Sequence, residues 1–309
     1  VGAIEITEHD EGRHSPGDEE LWGESWYLDF AAGDTSFGGY VRLGLYPNLG
    51  RSWLWVHLVG EGRPLVLLRD HTLPCPDGDD LRIERDDLRV TLDAPEPLVR
   101  YRVEAAGNAV RLDDPAVAFH GEEGPAASLR VELEWESRGT VFPYEATTRY
   151  EQSAWVTGTV VIDGETIAVD CPGQRDHSWG VRDWWLFPWN WTAGHLDDGT
   201  FFHAARSMIP GIEVFHEGYV IPPGDDQQRV DAVECAVRLD GEQLPVEASQ
   251  RIGPLRFTTT PVGHAPVLLV ADDGRESRFP RAMCRFTTED GRTGTGWTEY
   301  NWPPGFPQD

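Results

Sequence analysis

Leu129-Arg130-Val131-Glu132-Leu133-Glu134-Trp135-Glu136 alternates apolar and charged side chains without a break. A period of two puts Leu129, Val131, Leu133 and Trp135 on one face of an extended strand and the charges on the other, the pattern of a half-buried antiparallel strand. The alternation recurs upstream in Arg89 to Asp93 and Leu98 to Val103. Downstream, Trp155 to Ile162, Asp163-Gly164 and Glu165 to Val169 read as a β-hairpin, because Asp-Gly suits the two positive φ angles of a type I′ turn. Helix signals are confined to one turn at Asp18 to Trp22 and a short helix between Pro143 and Gln152. A parallel α/β sheet needs repeated crossover helices, and these are missing. Neither G-x-G-x-x-G after a strand nor G-x-S-x-G occurs. The expected fold class is all-β.

The chain has 309 residues and a net charge of −27, from 53 acidic and 26 basic residues, and every basic residue is arginine. Without lysine there is no Schiff base, no pyridoxal-phosphate attachment and no P-loop lysine. The negative field disfavours nucleic acid, anionic membrane surfaces and polyphosphates, and points to a hydrophobic small-molecule partner that is neutral or cationic. No apolar run approaches the roughly 20 residues that span a bilayer, so no stable membrane insertion is expected. Val1 to Glu5 has neither a basic nor an apolar signal region, and a cytoplasmic protein is expected. Cys75, Cys171, Cys235 and Cys284 form no C-x-x-C pair and read as reduced, structural thiols.

The densest chemistry lies in Gly173-Gln174-Arg175-Asp176-His177-Ser178-Trp179-Gly180-Val181-Arg182-Asp183-Trp184-Trp185. Such side chains are costly to bury unless each has a partner. Asp176-His177 reads as an acid–base unit, although adjacent strand residues point to opposite faces and need not touch. Asp176, Ser178 and Gly180 share one parity; Arg175, His177, Trp179 and Val181 share the other. An arginine–aspartate network pinning a domain junction is the structural alternative. If the strand continues, Trp185, Phe187, Trp189 and Trp191 form an aromatic wall that lines either a core or a ligand cavity. Glu24 and Glu299 are each flanked by tryptophans, where a carboxyl pKa could be raised for general-acid work; Glu151-Gln152 is a weaker candidate. His195, Asp197, Asp198, His203 and His216 lack the close pairing of a strong metal signature, so neither metal nor cofactor is expected.

Length suggests two domains. Trp26-Tyr27-Leu28-Asp29-Phe30, then Gly38-Gly39-Tyr40 and Pro47, is echoed by Trp184-Trp185-Leu186-Phe187, then Gly199-Thr200-Phe201 and Pro210. Two β domains are expected, 1–150 and 151–309, the second carrying the Arg175 to Trp185 motif, with the junction within 138–172.

Gly173-x-Arg175-Asp176-His177-Ser178-Trp179-Gly180-x-Arg182-Asp183-Trp184, with Tyr150-Glu151-Gln152, Gly158, Asp163-Gly164 and Trp22-x-Glu24-Ser25-Trp26-Tyr27, resembles a family of tandem lipocalin-like domains. That family is related to hydroxyneurosporene synthase (carotenoid 1,2-hydratase), AttH-like proteins and fungal Diels–Alderases. The resemblance implies two lipocalin-like antiparallel β-barrels in tandem, a cavity near their junction, and cofactor-free hydration, cyclisation or rearrangement of a hydrophobic substrate. Asp176 and His177 match the superfamily's D-H-x-W pattern. The leading expectation is a cofactor-independent acid–base enzyme that hydrates, dehydrates, isomerises or cyclises a terpenoid- or steroid-like molecule in an aromatic-lined cavity, of the hydratase or lyase, isomerase or cyclase type. Asp176 or Asp183 would be the acid, His177 its orienting partner, and Arg175 and Arg182 the holders of the carboxylates. Trp179, Trp184, Trp185, Trp189, Trp191, Trp26, Glu24 and Glu299 would contact substrate. A non-catalytic carrier and a metal-dependent hydrolase are the alternatives, and the sequence leaves the oligomeric state open.

Overall fold

A computed structural model describes residues 4–303. Its first sheet contains ten antiparallel strands: β1 (Trp22–Ala31), β2 (Gly38–Tyr46), β3 (Arg51–Val59), β4 (Leu65–Leu73), β5 (Leu81–Arg85), β6 (Leu88–Glu96), β7 (Arg100–Leu112), β8 (Ala126–Pro143), β9 (Arg149–Ile162) and β10 (Glu165–Val181). Their order is β4-β3-β2-β1-β10-β9-β8-β7-β6-β5, and β4 pairs again with β7, which closes a barrel. The second sheet is built from β11 (Trp189–Leu196), β12 (Phe201–Ile209), β13 (Ile212–Ile221), β14 (Gln228–Arg229), β15 (Val233–Leu239), β16 (Pro245–Ile252), β17 (Leu255–His264), β20 (Arg281–Thr288) and β21 (Thr293–Asn301), while β18 (Val267–Val270) and β19 (Glu276–Phe279) form a separate ribbon. The all-β expectation holds. Among the described residues there are only short 3-10 turns and no helix long and apolar enough to cross a membrane.

Alternation fills two distinct cores. Trp26, Leu28 and Phe30 of β1 meet Leu129, Val131, Leu133 and Trp135 of β8 inside the first barrel. Tyr27 and Ala31, on the other face of β1, pack with Trp191, Met283 and Trp297 of the second sheet. Every residue of β1 is therefore buried, because the strand is covered on both sides. A third cluster, including Phe202, Phe257 and Phe286, fills the curl of the second sheet.

The hairpin turn is as expected: Asp163 and Gly164 have φ of 51° and 84°, and Ile162 pairs with Glu165. Three expectations need correction. The stretch from Pro143 to Gln152 is a strand end, a bend and a new strand, because Tyr144 and Arg149 are bridged by a backbone hydrogen bond that turns the chain. Asp18 to Trp22 is a turn running into β1. The first sheet extends to Val181, so the motif strand belongs to it and not to the second sheet, and a division at 150/151 would cut between β9 residues. Trp26 to Phe30 lies in β1, whereas Trp184 to Phe187, its expected echo, lies in the loop before β11.

The segment before β1 is tied into the first barrel by ionisable groups. Glu11, 4% exposed, takes bonds from Arg175 Nη1 at 2.7 Å and Nη2 at 3.0 Å, from the Tyr150 hydroxyl and from the Leu98 amide. Next to it, Glu24 Oε1 lies 2.7 Å from His14 Nδ1 and 3.0 Å from His177 Nε2, while His14 Nε2 meets Asp10 and His177 Nδ1 donates to the Asp10 carbonyl. Burial works against the charge on His14, but Glu24 and Asp10 outweigh it and leave its pKa above the ordinary value. Burial likewise works against the charge on Glu24, and the two histidines hold it below the ordinary carboxylate value.

Glu11→Gln leaves Arg175 without its counter-charge in a dry interior and should cost about 3 kcal/mol in urea unfolding, with the double replacement Glu11→Leu/Arg175→Met less harmful than the single-charge loss. The histidine tie gives a pH signature. A raised His14 pKa contributes stability that is complete below its unfolded value near 6.5 and is lost as pH rises through the folded value; a lowered Glu24 pKa contributes stability lost as pH falls through its folded value. Thermal unfolding from pH 4 to 9 should show a loss on the alkaline side that His14→Gln flattens.

Candidate active site between the barrels

Residues that face one another on neighbouring antiparallel strands share a side of the sheet. Tyr27 lies opposite Arg42 and Asp176, and Asp176 lies opposite Glu151. Arg42, Tyr27, Asp176 and Glu151 thus make one row across β2, β1, β10 and β9, turned toward the second sheet. Opposing it, Trp191 lies across from Glu299, and Glu299 across from Arg281. Between the rows is a cavity of about 320 Å³, and Trp184 and Phe187 of the connecting loop help to wall it. Gly173 permits the close approach of β1 and β10, since a Cβ there would sit 2.2 Å from the Asp29 carbonyl oxygen.

Asp176 is the carboxyl group the cavity presents from the motif strand. Its Oδ2 accepts from Arg149 Nη2 at 2.7 Å, and Arg149 also holds Glu151 at 2.6 Å. Burial raises the Asp176 pKa to about 7, against the pull of Arg149 and with the help of Glu151 and Glu299. Glu151 is enclosed by donors from both sheets, Gln174 Nε2 at 2.8 Å and Trp191 Nε1 at 2.9 Å. Behind Tyr27, whose hydroxyl donates to Asp29 at 2.8 Å, burial brings the Asp29 carboxyl to about 8. Arg281 lies 4.2 Å over the Tyr27 ring and pairs with Glu299 at 2.7 Å. Glu299 also accepts from Trp189 Nε1 at 2.8 Å.

The expected site residues divide cleanly. Asp176, Arg182, Asp183, Trp184, Trp189, Trp191 and Glu299 line the cavity. Arg175, His177, Trp179, Glu24 and Trp26 do not: their parity turns them to the interior of the first barrel, where Arg175 meets Glu11 and His177 meets Glu24. His177 therefore does not orient Asp176, and Arg175 does not hold it. Glu24 is lowered in pKa, opposite to the acid role expected for it. Trp185 faces a neighbouring cleft, with its Nε1 bonded to the Leu269 carbonyl. The continuous aromatic wall is not formed, because residues 182–188 are a loop, β11 starts at Trp189, and Phe187 is exposed. Asp183 caps the Trp185 amide at 3.0 Å.

Arg149, Tyr27, Arg42 and Arg281 were not singled out by the sequence reading. Arg42 is a charged residue at an inward position of an otherwise apolar strand, Tyr40-Val41-Arg42-Leu43, and that is the signal that marks it; Arg149 opens the polar run Arg149-Tyr150-Glu151-Gln152-Ser153 and carries no such signal. The scattered metal candidates stay apart: Asp197 caps Thr293, Asp198 pairs with Arg292, His203 bonds Tyr144 and His216 bonds Glu213. Among the described residues, His14, Glu24 and His177 are the group whose ligand atoms lie close enough to hold a metal ion, all within 4.8 Å of one another. That group lies on the other face of the motif strand from Asp176. The four cysteines are free, and burial pushes the Cys171, Cys235 and Cys284 thiols up to about 12.

No curated protein matches the chain in sequence. Solved structures do match in fold. An AttH-like protein of Nitrosomonas europaea is 16% identical with a TM-score of 0.61, over 96% of both chains. Kievitone hydratase of Nectria haematococca is 11% identical with a TM-score of 0.61, over 96% of this chain and 93% of its own. CghA is 14% identical with a TM-score of 0.56, over 92% and 89%. These likenesses agree with the tandem lipocalin-like architecture expected from the motifs. A family model matches residues 7–304, and the chain belongs to the family described as "Domain of unknown function (DUF7064)".

Proposed function

We propose that the protein is an acid–base enzyme acting on a hydrophobic, terpenoid- or steroid-like molecule held in the cavity between the two sheets. The observation that carries this reading is Asp176, a buried carboxyl with a pKa raised to about 7 that opens onto a tryptophan-lined cavity. An acid is most effective when its pKa lies near the working pH. Protonated Asp176 gives its proton to an unsaturated carbon of the substrate, and the cationic centre formed there faces Trp184, Trp189 and Trp191. Water adds and the resulting oxonium loses a proton, a neighbouring C–H loses its proton, or ring closure is followed by loss of a proton; in each case the proton returns to the Asp176 carboxylate, which Arg149 stabilises meanwhile, completing a hydration, isomerisation or cyclisation. Tyr27, backed by Asp29, is the second proton-bearing group on the same row. The chemistry uses side chains alone and needs no cofactor. The name of the similar kievitone hydratase supports hydration as the first reaction to test.

The tryptophan lining suits a carrier of a hydrophobic ligand equally well. Native mass spectrometry of gently purified protein separates the two: a stoichiometric ligand released unchanged favours the carrier, and product accumulation favours the enzyme. A metal-dependent hydrolase is less well supported, since the histidine–glutamate group is turned away from the cavity.

With a substrate found by such screening, Asp176→Asn should lower kcat/KM by about 10²–10⁴-fold. Because the protonated form is the working one, wild-type kcat/KM should be flat at acid pH and fall as pH rises through about 7. Glu151→Gln removes a charge that raises the Asp176 pKa and should move this limb to lower pH. Full activity of Asp176→Asn, or a profile flat from pH 5 to 9, would sink the assignment.

A further inference from the structure

Three arginines are buried among the described residues: Arg42, Arg175 and Arg281. Arg175 is paired with Glu11 and Arg281 with Glu299. Arg42, 4% exposed, has no carboxylate within 4.0 Å. Its guanidinium lies over the rings of Trp55 and Trp184, at 4.5 and 5.0 Å, and Nη2 donates to the Tyr46 hydroxyl at 3.3 Å. Nη1 has no partner at all. Arg182, across the same cavity, spends one bond on the Thr148 carbonyl and likewise has no carboxylate partner. Burial and the neighbouring Arg149 pull its pKa down to about 10, the mark of a cation short of counter-charge.

This deficit stands out in a chain with 53 acidic residues for 26 arginines. Carboxylates are plentiful, and the other two buried arginines have one each. A desolvated guanidinium without an anion is costly, and the cost is recovered only when an anion arrives. The fork of N–H donors fits a carboxylate in two-point fashion. Asp176 does not fill the gap, being bound to Arg149 and protonated near neutral pH.

The geometry points to an organic anion as the occupant: an apolar molecule ending in a carboxylate, which Arg42 and Arg182 bind while its apolar body lies along Trp184, Trp189 and Trp191. This rests on the cavity being the working site, and it reverses the neutral or cationic partner expected from the net charge. The global field disfavours anions in bulk, yet Arg42, Arg149, Arg182 and Arg281 all line this cavity, and buried charges are little screened. The anion would also anchor the substrate end-on, so that one carbon of the body is presented to Asp176.

Decanoate, decan-1-ol and decyltrimethylammonium share an apolar tail and differ in head charge. Calorimetric titration, with cavity tryptophan fluorescence as a second signal, should show decanoate binding once per chain and about tenfold or more tighter than the alcohol or the ammonium. Arg42→Gln and Arg182→Gln should each remove most of that preference while leaving decan-1-ol binding unchanged, and Arg42→Lys should restore part of it. Arg182 is only half-buried, so its variant reports even if Arg42→Gln does not fold. The inference is overturned if decan-1-ol or the ammonium binds wild type as tightly as decanoate, if decanoate shows no saturable binding, or if Arg182→Gln keeps the full preference. Asp176→Asn keeps the selectivity for decanoate whether or not it loses turnover, so failure of the acid–base reading and failure of the anion reading are seen separately.

Discussion

The register of β1 against β10 is the constraint on which the rest depends. Trp26 faces His177 and Tyr27 faces Asp176, so each strand sends one set of side chains into the first barrel and the other toward the second sheet. A slip by one residue would exchange the two sets, placing Asp176 among the aliphatic residues of the first core and His177 in the cavity. Several interactions fix that register at once. Arg175 is held by Glu11, His177 by Glu24 and the Asp10 carbonyl, and the Gln174 amide donates to Asp29. The charged motif is thus neither wholly structural nor wholly functional. Within the strand, Arg175 and His177 clamp the fold and Asp176 presents the chemistry.

That division explains what could be read from the chain before its structure. Alternation in Leu129 to Glu136 and the Asp163-Gly164 turn are local, and they lead directly to antiparallel strands and a hairpin. Parity within Gly173 to Val181 is local too, so the separation of Asp176 from His177 was legible. Which parity faces the cavity was not, because β10 is covered on both sides and burial is no guide. Arg149 was out of reach for a related reason: it meets Asp176 through strand pairing across a hairpin, at a distance in sequence that no motif spans. Glu11 and His14 lie in a segment without periodicity, and their partners are set only when that segment folds back onto the barrel. The limit of the first sheet was misplaced because β9 and β10 have the same alternating character as the strands on either side.

Charge tells a similar story at two scales. The net value of −27 describes the surface, where carboxylates outnumber arginines. At the cavity wall four arginines, on inward positions of β2, β9 and β20 and on the connecting loop, face the three carboxyl groups of Asp176, Asp183 and Glu299. A sum over the chain cannot reveal such a reversal, since it weights a solvated loop aspartate equally with a buried guanidinium. Parity can, once a strand is recognised, because an arginine at an apolar position of a covered strand must be paired, stacked or waiting for a ligand.

Burial, helped by the acids crowded around it, is what places Asp176 near neutrality. Asp29, Asp176 and Glu151 occupy adjoining rows of the same sheet face, and Arg149 is the cation that touches two of them. Three full negative charges in so dry a place would be prohibitive, so protons remain on Asp176 and Asp29 to higher pH than usual. A neutral Asp176 makes little demand on a second arginine. Arg42 and Arg182 are left in excess for the same reason that Asp176 retains a proton to give, and an acid beside an unsatisfied cation is one electrostatic arrangement seen from its two ends.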